Sequence, residues 1–472
     1  MKWLFWLSVL FIGYTYAGYP LWLYVRSRWR ALPVRSAPIV PSVSIVMAVH
    51  NEAEVLPRKL RNLSEIDYPP DRCEIIFVSD GSTDGTNQVL GEVGALPSLR
   101  SGLALMGAQF VAAPFSDETP GVATRAAPTK LRSRVLTLPQ HRGKAAALNC
   151  GIQEAKGSIV VFTDARQLIA PDAVRRLVAN FSDRSVGCVS GELMLAEIEA
   201  PEGVKKTAAL PPAVGKGSAF TARQAQEKGN SKAFRLGGLP ESRRLSAQQA
   251  AEPQHAGGGG RVRFSRDASV NGVGAYWSME KKIRQWESAT GSVVGATGAL
   301  YAVRRELLVP VPVGTILDDV YLPLHVIRQG KRAVFEPRAR AYDNLATGAR
   351  EFRRKVRTLT GNYQLLQLAP WLLTKANPVR FEFVCHKLLR LVVPFALAGI
   401  LISSLFLEGE FFRVALWLQL LFYGLATLAI FRARFGIMSR LANLSLAFVL
   451  LNTAAAVAFA YFATGKKETW AQ

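Results

Sequence analysis

The chain has 472 residues, 49% of them hydrophobic, and 58 Lys and Arg against 35 Asp and Glu give a formal net charge of +23. A basic excess of this size is compatible with nucleic acid, but the apolar residues gather at the two ends and much of the positive charge flanks them, so a membrane explains it better and no nucleic-acid partner is expected. Cys73, Cys150, Cys188 and Cys385 lie far apart without CxxC spacing, which argues against a disulfide framework or a Cys-based zinc site and fits a reduced cytoplasmic compartment.

Residues 1–24 form an apolar run of membrane-spanning length, followed by Arg26, Arg28 and Arg30. Its length, its aromatic content and the absence of an Ala-x-Ala exit favour an uncleaved anchor over a signal peptide, with the basic flank and the following domain on the cytoplasmic side. From residue 41 the pattern becomes alternating strands and helices. Residues 43–49 read as a strand with His50, Asn51 and Glu52 as its exit loop, and 55–63 as an amphipathic helix. Residues 74–78 are a second strand ending in Ser79-Asp80-Gly81-Ser82-Thr83-Asp84, where Thr83 or Asp84 caps the next helix. Residues 135–138 give a third strand, 144–155 a helix, and Ile159 to Phe162 a strand buried on both faces that exits through Asp164 and Arg166. This βαβαβαβ order predicts an α/β fold with a doubly wound, mostly parallel sheet, whose first half covers 41–199 with an insertion at about 95–132.

Residues 200–270 interrupt the pattern with a run of four glycines, paired prolines and about a dozen Lys and Arg against about five acids, the composition of a disordered segment. An inert insertion is the plainer reading of it, adhesion to an anionic membrane surface the other. Order returns over 271–360: a helix with Tyr276, Trp277, Ile283 and Trp286 on one face, a loop and strand over 292–303, Asp318 and Asp319 at a helix start, a short strand at 332–335 and a basic helix over 350–358. Residues 361–383 suggest a helix lying in the membrane interface, and 384–463 three spans at about 388–407, 411–431 and 441–463. One N-terminal and about three C-terminal transmembrane helices thus bracket the domain. Arg432, Arg434 and Arg440 place the last loop on the cytoplasmic side and the C-terminus outside, which Lys466 and Lys467 mildly oppose.

In an open α/β sheet, ligands bind beyond the carboxyl ends of the strands. There the chain offers Asn51 and Glu52, Asp80 and Gly81, Lys144, Asp164 and Arg166, and later Asp319. A nucleoside diphosphate needs acceptors for base and ribose, which the first acids supply, and cations for its phosphates, which Lys144, Arg166, Arg354 and Arg357 supply. Each has a structural alternative. Asp80 in Asp-Gly-Ser suits a turn, and the acidic pair Asp318-Asp319 suits a helix dipole.

Residues 44–52, Ser79 to Asp84, Gly143-Lys144-Ala145-Ala146-Ala147-Leu148-Asn149 and Phe162-Thr163-Asp164-Ala165-Arg166 together resemble the second family of inverting glycosyltransferases. Those are membrane enzymes with a cytoplasmic GT-A domain and include cellulose, chitin, hyaluronan and poly-N-acetylglucosamine synthases. The resemblance covers about 41–195 and 276–366 and implies a nucleotide-sugar donor, commonly a UDP-sugar, with Asp80 at the base. It matches Asp164 to the first acid of the family's Asp-x-Asp metal motif, whose second acid is Arg166 here. Either Mg²⁺ or Mn²⁺ is held by Asp164 and the donor phosphates, or Arg166 neutralises the leaving diphosphate itself.

The resemblance further implies Asp319 as general base, with Asp318 orienting the loop or the acceptor, and Gly295, Thr297 and Gly298 shaping the sugar pocket, although a tight turn alone also explains that loop. Arg354 and Arg357 match the Arg-rich end of a Gln-x-x-Arg-Trp motif in which Thr358 replaces the Trp, so elongation is not implied, and a polysaccharide channel would need associated chains or an export partner. The resulting expectation is a multi-pass inner-membrane enzyme that transfers a sugar to a glycan or lipid-linked acceptor for cell-surface polysaccharide or glycolipid. The alternatives are transfer of one sugar to a polyprenyl phosphate, and a non-catalytic membrane protein that binds nucleotide or glycan.

Overall fold

The computed structural model of the chain describes residues 1–94, 132–195, 197–198, 255–256, 260–263, 272–344, 348–430 and 436–465. Nearly all of the insertion expected at 95–132, most of 200–270, and Arg432 and Arg434 lie outside these. The chain opens with α1 (Lys2–Trp29), which runs past the expected end of the anchor. There follow β1 (Val43–Val49), α2 (Leu56–Ser64), β2 (Cys73–Asp80), α3 (Thr86–Gly94), β3 (Arg132–Leu138), α4 (Lys144–Glu154) and β4 (Ile159–Thr163), the alternation read from the sequence. Next come β5 (Leu168–Ile169), α5 (Ala173–Ala179), β6 (Val186–Leu195) and three short strands, β7 (Glu197–Ile198), β8 (His255–Ala256) and β9 (Gly260–Arg263). The second half holds α6 (Gly272–Thr290), β10 (Leu300–Arg304), α7 (Asp318–Arg328), β11 (Arg332–Asp343) and α8 (Gly348–Leu368). Last are α9 (Arg380–Phe406), α10 (Glu410–Ile430) and α11 (Gly436–Ala463).

Eight strands make one mixed sheet in the order β3-β2-β1-β4-β10-β6-β11-β5. β3, β2, β1 and β4 run parallel, so their carboxyl ends share one edge, while β10 is antiparallel to both β4 and β6. The central strands β1, β2 and β4 are mostly apolar because both faces are covered, while β3 at the edge is partly exposed. Ile45, Met47, Ile75 and Phe77 meet Leu56, Leu60 and Leu63 of α2 on one face. Val46, Ile76, Val78 and Val160 meet Ala147 and Leu148 of α4 and Val320 and Leu324 of α7 on the other. At about 1.5–3 kcal/mol per buried aliphatic or aromatic side chain, this two-sided core fixes the strand register that aligns the functional edge. The three short strands form a separate sheet, order β7-β9-β8, so the basic insertion contains paired backbone at 255–256 and 260–263.

Four helices among the described residues are long and apolar enough to cross a membrane: Lys2–Trp29, Arg380–Phe406, Glu410–Ile430 and Leu441–Ala463. The basic helix expected over 350–358 and the interfacial helix expected over 361–383 are not separate. α8 runs continuously through Gly361, where a Cβ would lie 2.6 Å from Leu317, so only a glycine permits this approach to the segment before α7. Leu365 and Leu372 are buried in the domain core rather than set out along an interface. On its other side α8 packs Val356 against Ala454 and Ala458 of α11, and Tyr363 stacks on Phe462 at 5.0 Å.

A buried polar network joins the domain to the spans. Glu287 of α6 accepts from the Tyr19 hydroxyl at 2.8 Å and bonds His386 Nδ1 at 2.7 Å, while His386 Nε2 meets Glu280 at 2.7 Å. Arg390 donates to the other oxygen of Glu280 at 2.7 Å, and Arg26 of α1 reaches Glu382 at 2.6 Å. Removing one member of such a network leaves its partners buried and unpaired at a cost of about 3–5 kcal/mol, whereas an exposed ion pair contributes about 0–1 kcal/mol. Glu287→Leu should therefore lower the thermal unfolding midpoint of the detergent-solubilised chain by about 5 °C or more. Arg175→Ala, which removes an exposed pair with Asp67 at 2.9 Å, should leave it nearly unchanged; equal effects would contradict this account of the domain's docking.

Candidate active site

At the shared carboxyl edge of the sheet, Lys144, the first residue of α4, places its ammonium 3.0 Å from Asp164 Oδ1 and 3.3 Å from Asp318 Oδ1. Asp164 lies just past β4 and Asp318 opens α7, so one cation ties the two halves of the domain together. Asp318 is buried, and its second oxygen accepts from the Tyr301 hydroxyl at 3.2 Å. Burial, reinforced by Asp318 and Asp319, holds that phenol well above its ordinary pKa, so it remains a donor. For Lys144, burial opposes the charge, but Asp164, Asp318 and Asp319 outweigh it and raise its pKa, so it is an ammonium throughout the physiological range.

Asp319 is the unusual member. Burial and the neighbouring Asp318 raise its pKa to about 6, against the lowering fields of Lys144 and Lys387. It keeps a partly exposed surface, and a Cβ at Gly298 would lie 3.1 Å from its Oδ2, so the glycine leaves room for the carboxylate. The Asp319 backbone carbonyl accepts from Ala296 N–H at 2.7 Å, which lays the 295–298 loop along the start of α7.

Two side chains fix the segment that delivers this acidic pair. Asn149 of α4 donates to Val311 O at 2.7 Å and accepts from Val311 N–H at 2.8 Å. Gln364 of α8 accepts from Ile316 N–H at 2.9 Å and donates to Gly314 O at 2.8 Å. Arg284 of α6, which the sequence reading did not single out, braces the pocket loop. Its guanidinium donates to Thr297 Oγ1 at 2.5 Å, Ser190 Oγ at 2.7 Å and Gly295 O at 3.3 Å, and packs over Phe335.

Lys59 was also missed. Wholly buried on α2, it donates to Thr163 Oγ1 at 2.9 Å and Gln167 O at 2.7 Å, on either side of Asp164. Burial pushes its pKa down to about 7, with Asp164 opposing and Arg58 adding to the shift. The only sequence signal for it is a lysine on the apolar face of an amphipathic helix.

The remaining expected residues are placed as follows. Glu52 pairs with Arg166 at 2.9 Å, and Arg58 donates to the Arg166 carbonyl at 3.2 Å, so the loop after β1 meets the loop after β4. Asn51 adopts φ 52°, and its Oδ1 accepts from Thr83 N–H at 2.8 Å, fastening the loop after β1 to the Asp80–Asp84 turn. Asp84, the expected cap, accepts from Thr86 N–H at 2.9 Å. Asp80 is 2% exposed and spends its carboxylate on Arg142 N–H and Gly143 N–H, both at 2.8 Å, with His141 Nδ1 at 2.9 Å from Oδ2. It thereby anchors the start of α4, the loop role considered from sequence. His50 and His141 lie face to face beside it, ring centroids 4.0 Å apart. Arg354 reaches Asp343 at 3.5 Å rather than the acidic cluster, and Arg357, on the same helix, makes no hydrogen bond or ion pair among the described residues.

Gly81 (φ +59°) and Gly143 (φ +90°) both occupy backbone conformations that disfavour L side chains, but only Gly81 is also crowded, with a Cβ falling 2.3 Å from His141 N. Gly143→Ala should cost strain alone, about 1–3 kcal/mol, and Gly81→Ala clearly more, because it must also displace the loop that starts α4. Thermal unfolding of the two variants checks the order; a reversed order would contradict the described loop.

Residues 44–98 and 114–239 match the model of the family "Glycosyl transferase family 2". The chain is 28% identical over 156 residues to the probable glycosyltransferase YdaM of Bacillus subtilis, an alignment covering 32% of this chain and 30% of that protein. It is 27% identical over 150 residues to a poly-beta-1,6-N-acetyl-D-glucosamine synthase of Staphylococcus aureus, covering 32% of this chain and 28% of the relative. The aligned segments thus span less than a third of either curated relative. Among solved structures, the chain is similar to the mannosyltransferase PcManGT of Pyrobaculum calidifontis in complex with GDP-Man and Mn²⁺, with TM-score 0.59, 19% identity, and coverage of 98% of this chain and 99% of that one. This likeness shows the GT-A fold.

Proposed function

Starting from a chain that carries a family 2 glycosyltransferase domain on a GT-A fold, we propose that it is a membrane-anchored inverting transferase. It moves a sugar from a nucleotide-sugar, a UDP-sugar in the first instance, to a glycan or lipid-linked acceptor at the cytoplasmic membrane face, for cell-surface polysaccharide or glycolipid. The observation on which this rests most is Asp319: a carboxylate with its pKa raised to about 6, partly exposed between the Gly295–Gly298 loop and the cluster of Lys144, Asp164 and Asp318.

A displacement at the anomeric carbon needs a base on the acceptor side and positive charge on the leaving-group side. Asp319 is the base. The acceptor oxygen bonds to the anomeric carbon while the bond to the diphosphate breaks, the electron pair leaves with the nucleoside diphosphate, and the acceptor proton passes to Asp319. Lys144 and Arg166 serve as counter-charges for the diphosphate, with Arg357 of α8 an uncommitted cation from the second half. His50 and His141, beside Asp80, offer ring faces to the base.

Bound Mg²⁺ or Mn²⁺ fits one residue in particular. Asp164 keeps 37% of its side chain exposed, and such ions are commonly held by one or two carboxylates with substrate phosphates and water, so no protein cage is required. Among the described residues no group of three or more His, Cys, Asp and Glu could hold a metal alone. When bound there, the ion supplies positive charge to the departing diphosphate. Addition of a single sugar is favoured over elongation by Thr358, which stands where an aromatic acceptor platform is expected and turns its hydroxyl onto the Arg354 carbonyl at 2.9 Å.

Asp319→Asn should reduce transfer by about 10²–10⁴-fold and leave nucleotide binding intact. Undiminished turnover in this variant would refute the assigned role. Because a base works deprotonated, kcat/KM of the wild type should be half-maximal near pH 6, rise to a plateau above it and fall with acidification below it. Lys144→Met removes a field that lowers the Asp319 pKa, so the acid limb of its residual activity should move to higher pH; an unmoved limb would assign it to another group.

A further inference from the structure

A lysine on the apolar face of α2 calls for a reason, because an amine taken out of water costs more than the aliphatic side chain that would pack there. Leu56, Leu60 and Leu63 on the same helix are wholly buried, and so is Lys59. What Lys59 meets is the loop that carries Asp164. Its amine donates to Thr163 Oγ1 at 2.9 Å and to Gln167 O at 2.7 Å, so one side chain grips the chain on both sides of Asp164 and Arg166. Neighbours on α2 hold the same loop. Arg58 donates to Arg166 O at 3.2 Å, and the Asn62 amide donates to Ile169 O and accepts from Ile169 N–H, both at 2.8 Å.

Thr163 carries this contact to the other half of the domain. Its hydroxyl lies 2.9 Å from Ala299 O, and because a carbonyl can only accept, the Thr163 proton is committed there and the bond with Lys59 is donated by the amine. That polarity holds whether the amine is charged or neutral. Ala299 follows Gly298, whose missing Cβ leaves room for Asp319 Oδ2. On the donor side the Asp164 carboxylate is held by Lys144 at 3.0 Å. The path from Lys59 through Thr163 to Ala299 thus joins the loop of Asp164 to the loop beside Asp319 through buried hydrogen bonds.

We propose that Lys59 is a positioning residue for the transfer reaction: through Thr163 it fixes the spacing between the donor-side carboxylate Asp164 and the pocket loop beside Asp319. Being wholly buried, it touches neither donor nor acceptor. The inference rests on the transferase reading and adds to it a residue that acts on alignment rather than on binding or charge. Displacement at an anomeric carbon tolerates little misplacement of its groups, so loosening this link lowers turnover far more than donor affinity.

The test compares Lys59→Met, Thr163→Val and Thr163→Ser with the wild type, as full chains in one detergent and at a temperature below every unfolding transition. Release of nucleoside diphosphate from UDP-N-acetylglucosamine, UDP-glucose and GDP-mannose with Mn²⁺ gives kcat and KM for whichever donor the wild type turns over. Hydrogen–deuterium exchange of the nucleotide-free chain follows residues 163–169 and 295–301, with 43–49 of β1 as reference. Lys59→Met and Thr163→Val should lower kcat by about tenfold or more, change donor KM by less than about threefold, and speed exchange in both loops but not in β1. Thr163→Ser keeps the hydroxyl and should recover most of the turnover. The acid limb near pH 6 should stay in place in all three variants, in contrast to Lys144→Met, because alignment and not charge is altered.

Full turnover per folded molecule in Lys59→Met or in Thr163→Val would overturn the proposal. So would a loss confined to donor KM, a Thr163→Ser variant as slow as Thr163→Val, or faster exchange in 163–169 with 295–301 unchanged. An acid limb that moves in Lys59→Met would make the residue's effect electrostatic and overturn it as well. If Lys59→Met does not fold, the two Thr163 variants decide. A wild type that releases nucleoside diphosphate from none of the three donors would count against the transferase reading, and exchange would then decide the link alone: faster in both loops sustains it, faster in one loop only ends it.

Discussion

The Lys144 ammonium between Asp164 and Asp318 is the constraint around which the active-site edge is arranged. Three carboxylates, Asp164, Asp318 and Asp319, come from two separated stretches of chain and converge at a partly exposed edge with Asp318 buried beneath it. Without an intervening cation their mutual repulsion would drive protons onto them or open the cleft. One lysine at a helix start bridges Asp164 and Asp318 and leaves Asp319, beyond direct contact, with the raised proton affinity of a base. Geometry is held elsewhere, by the paired amide bonds of Asn149 to Val311 and of Gln364 to the 314–316 segment, so electrostatics and positioning fall to different residues.

The membrane is part of this arrangement rather than an attachment to it. α8 holds the segment before Asp318 through Gln364 and Gly361 and also packs on α11, so a candidate span lies one helix away from the acidic pair. α6 braces the pocket loop through Arg284 and meets α1 and α9 through Glu287 and Glu280. A shift of the spans relative to the domain would therefore disturb the pocket loop.

Much of this was legible in the residues. Buried β-branched runs located β1, β2 and β4, and the rule that ligands bind beyond strand ends pointed to Glu52, Asp80, Lys144, Asp164 and Asp319 before any coordinates. The misses have physical causes. β6 mixes Gly187, Cys188, Ser190, Gly191 and Glu192 with its apolar residues, and at Gly187 the packing is so close that a Cβ would lie 2.5 Å from Leu307; such composition gives a weak strand signal. α8 was divided at Gly361 because a glycine usually marks a break, while here it permits a close crossing. Lys59 and Arg284 were passed over because local pattern reads a charged helix residue as solvated, and only tertiary packing buries them with hydrogen-bond partners. The side chains of Asp80 and Asn51, legible as important, turned out to be spent first on holding their own loops.

The most direct measurement of the central interaction is a double-mutant cycle between Lys144 and Asp318, using Lys144→Met, Asp318→Asn and the double variant, with unfolding free energies determined on the full chain in one detergent. A shared cluster requires the two changes to be non-additive, with a coupling of about 1–3 kcal/mol. Additivity to within about 0.5 kcal/mol would mean that the lysine does not hold these carboxylates together, and the electrostatic account of Asp319 would lose its basis.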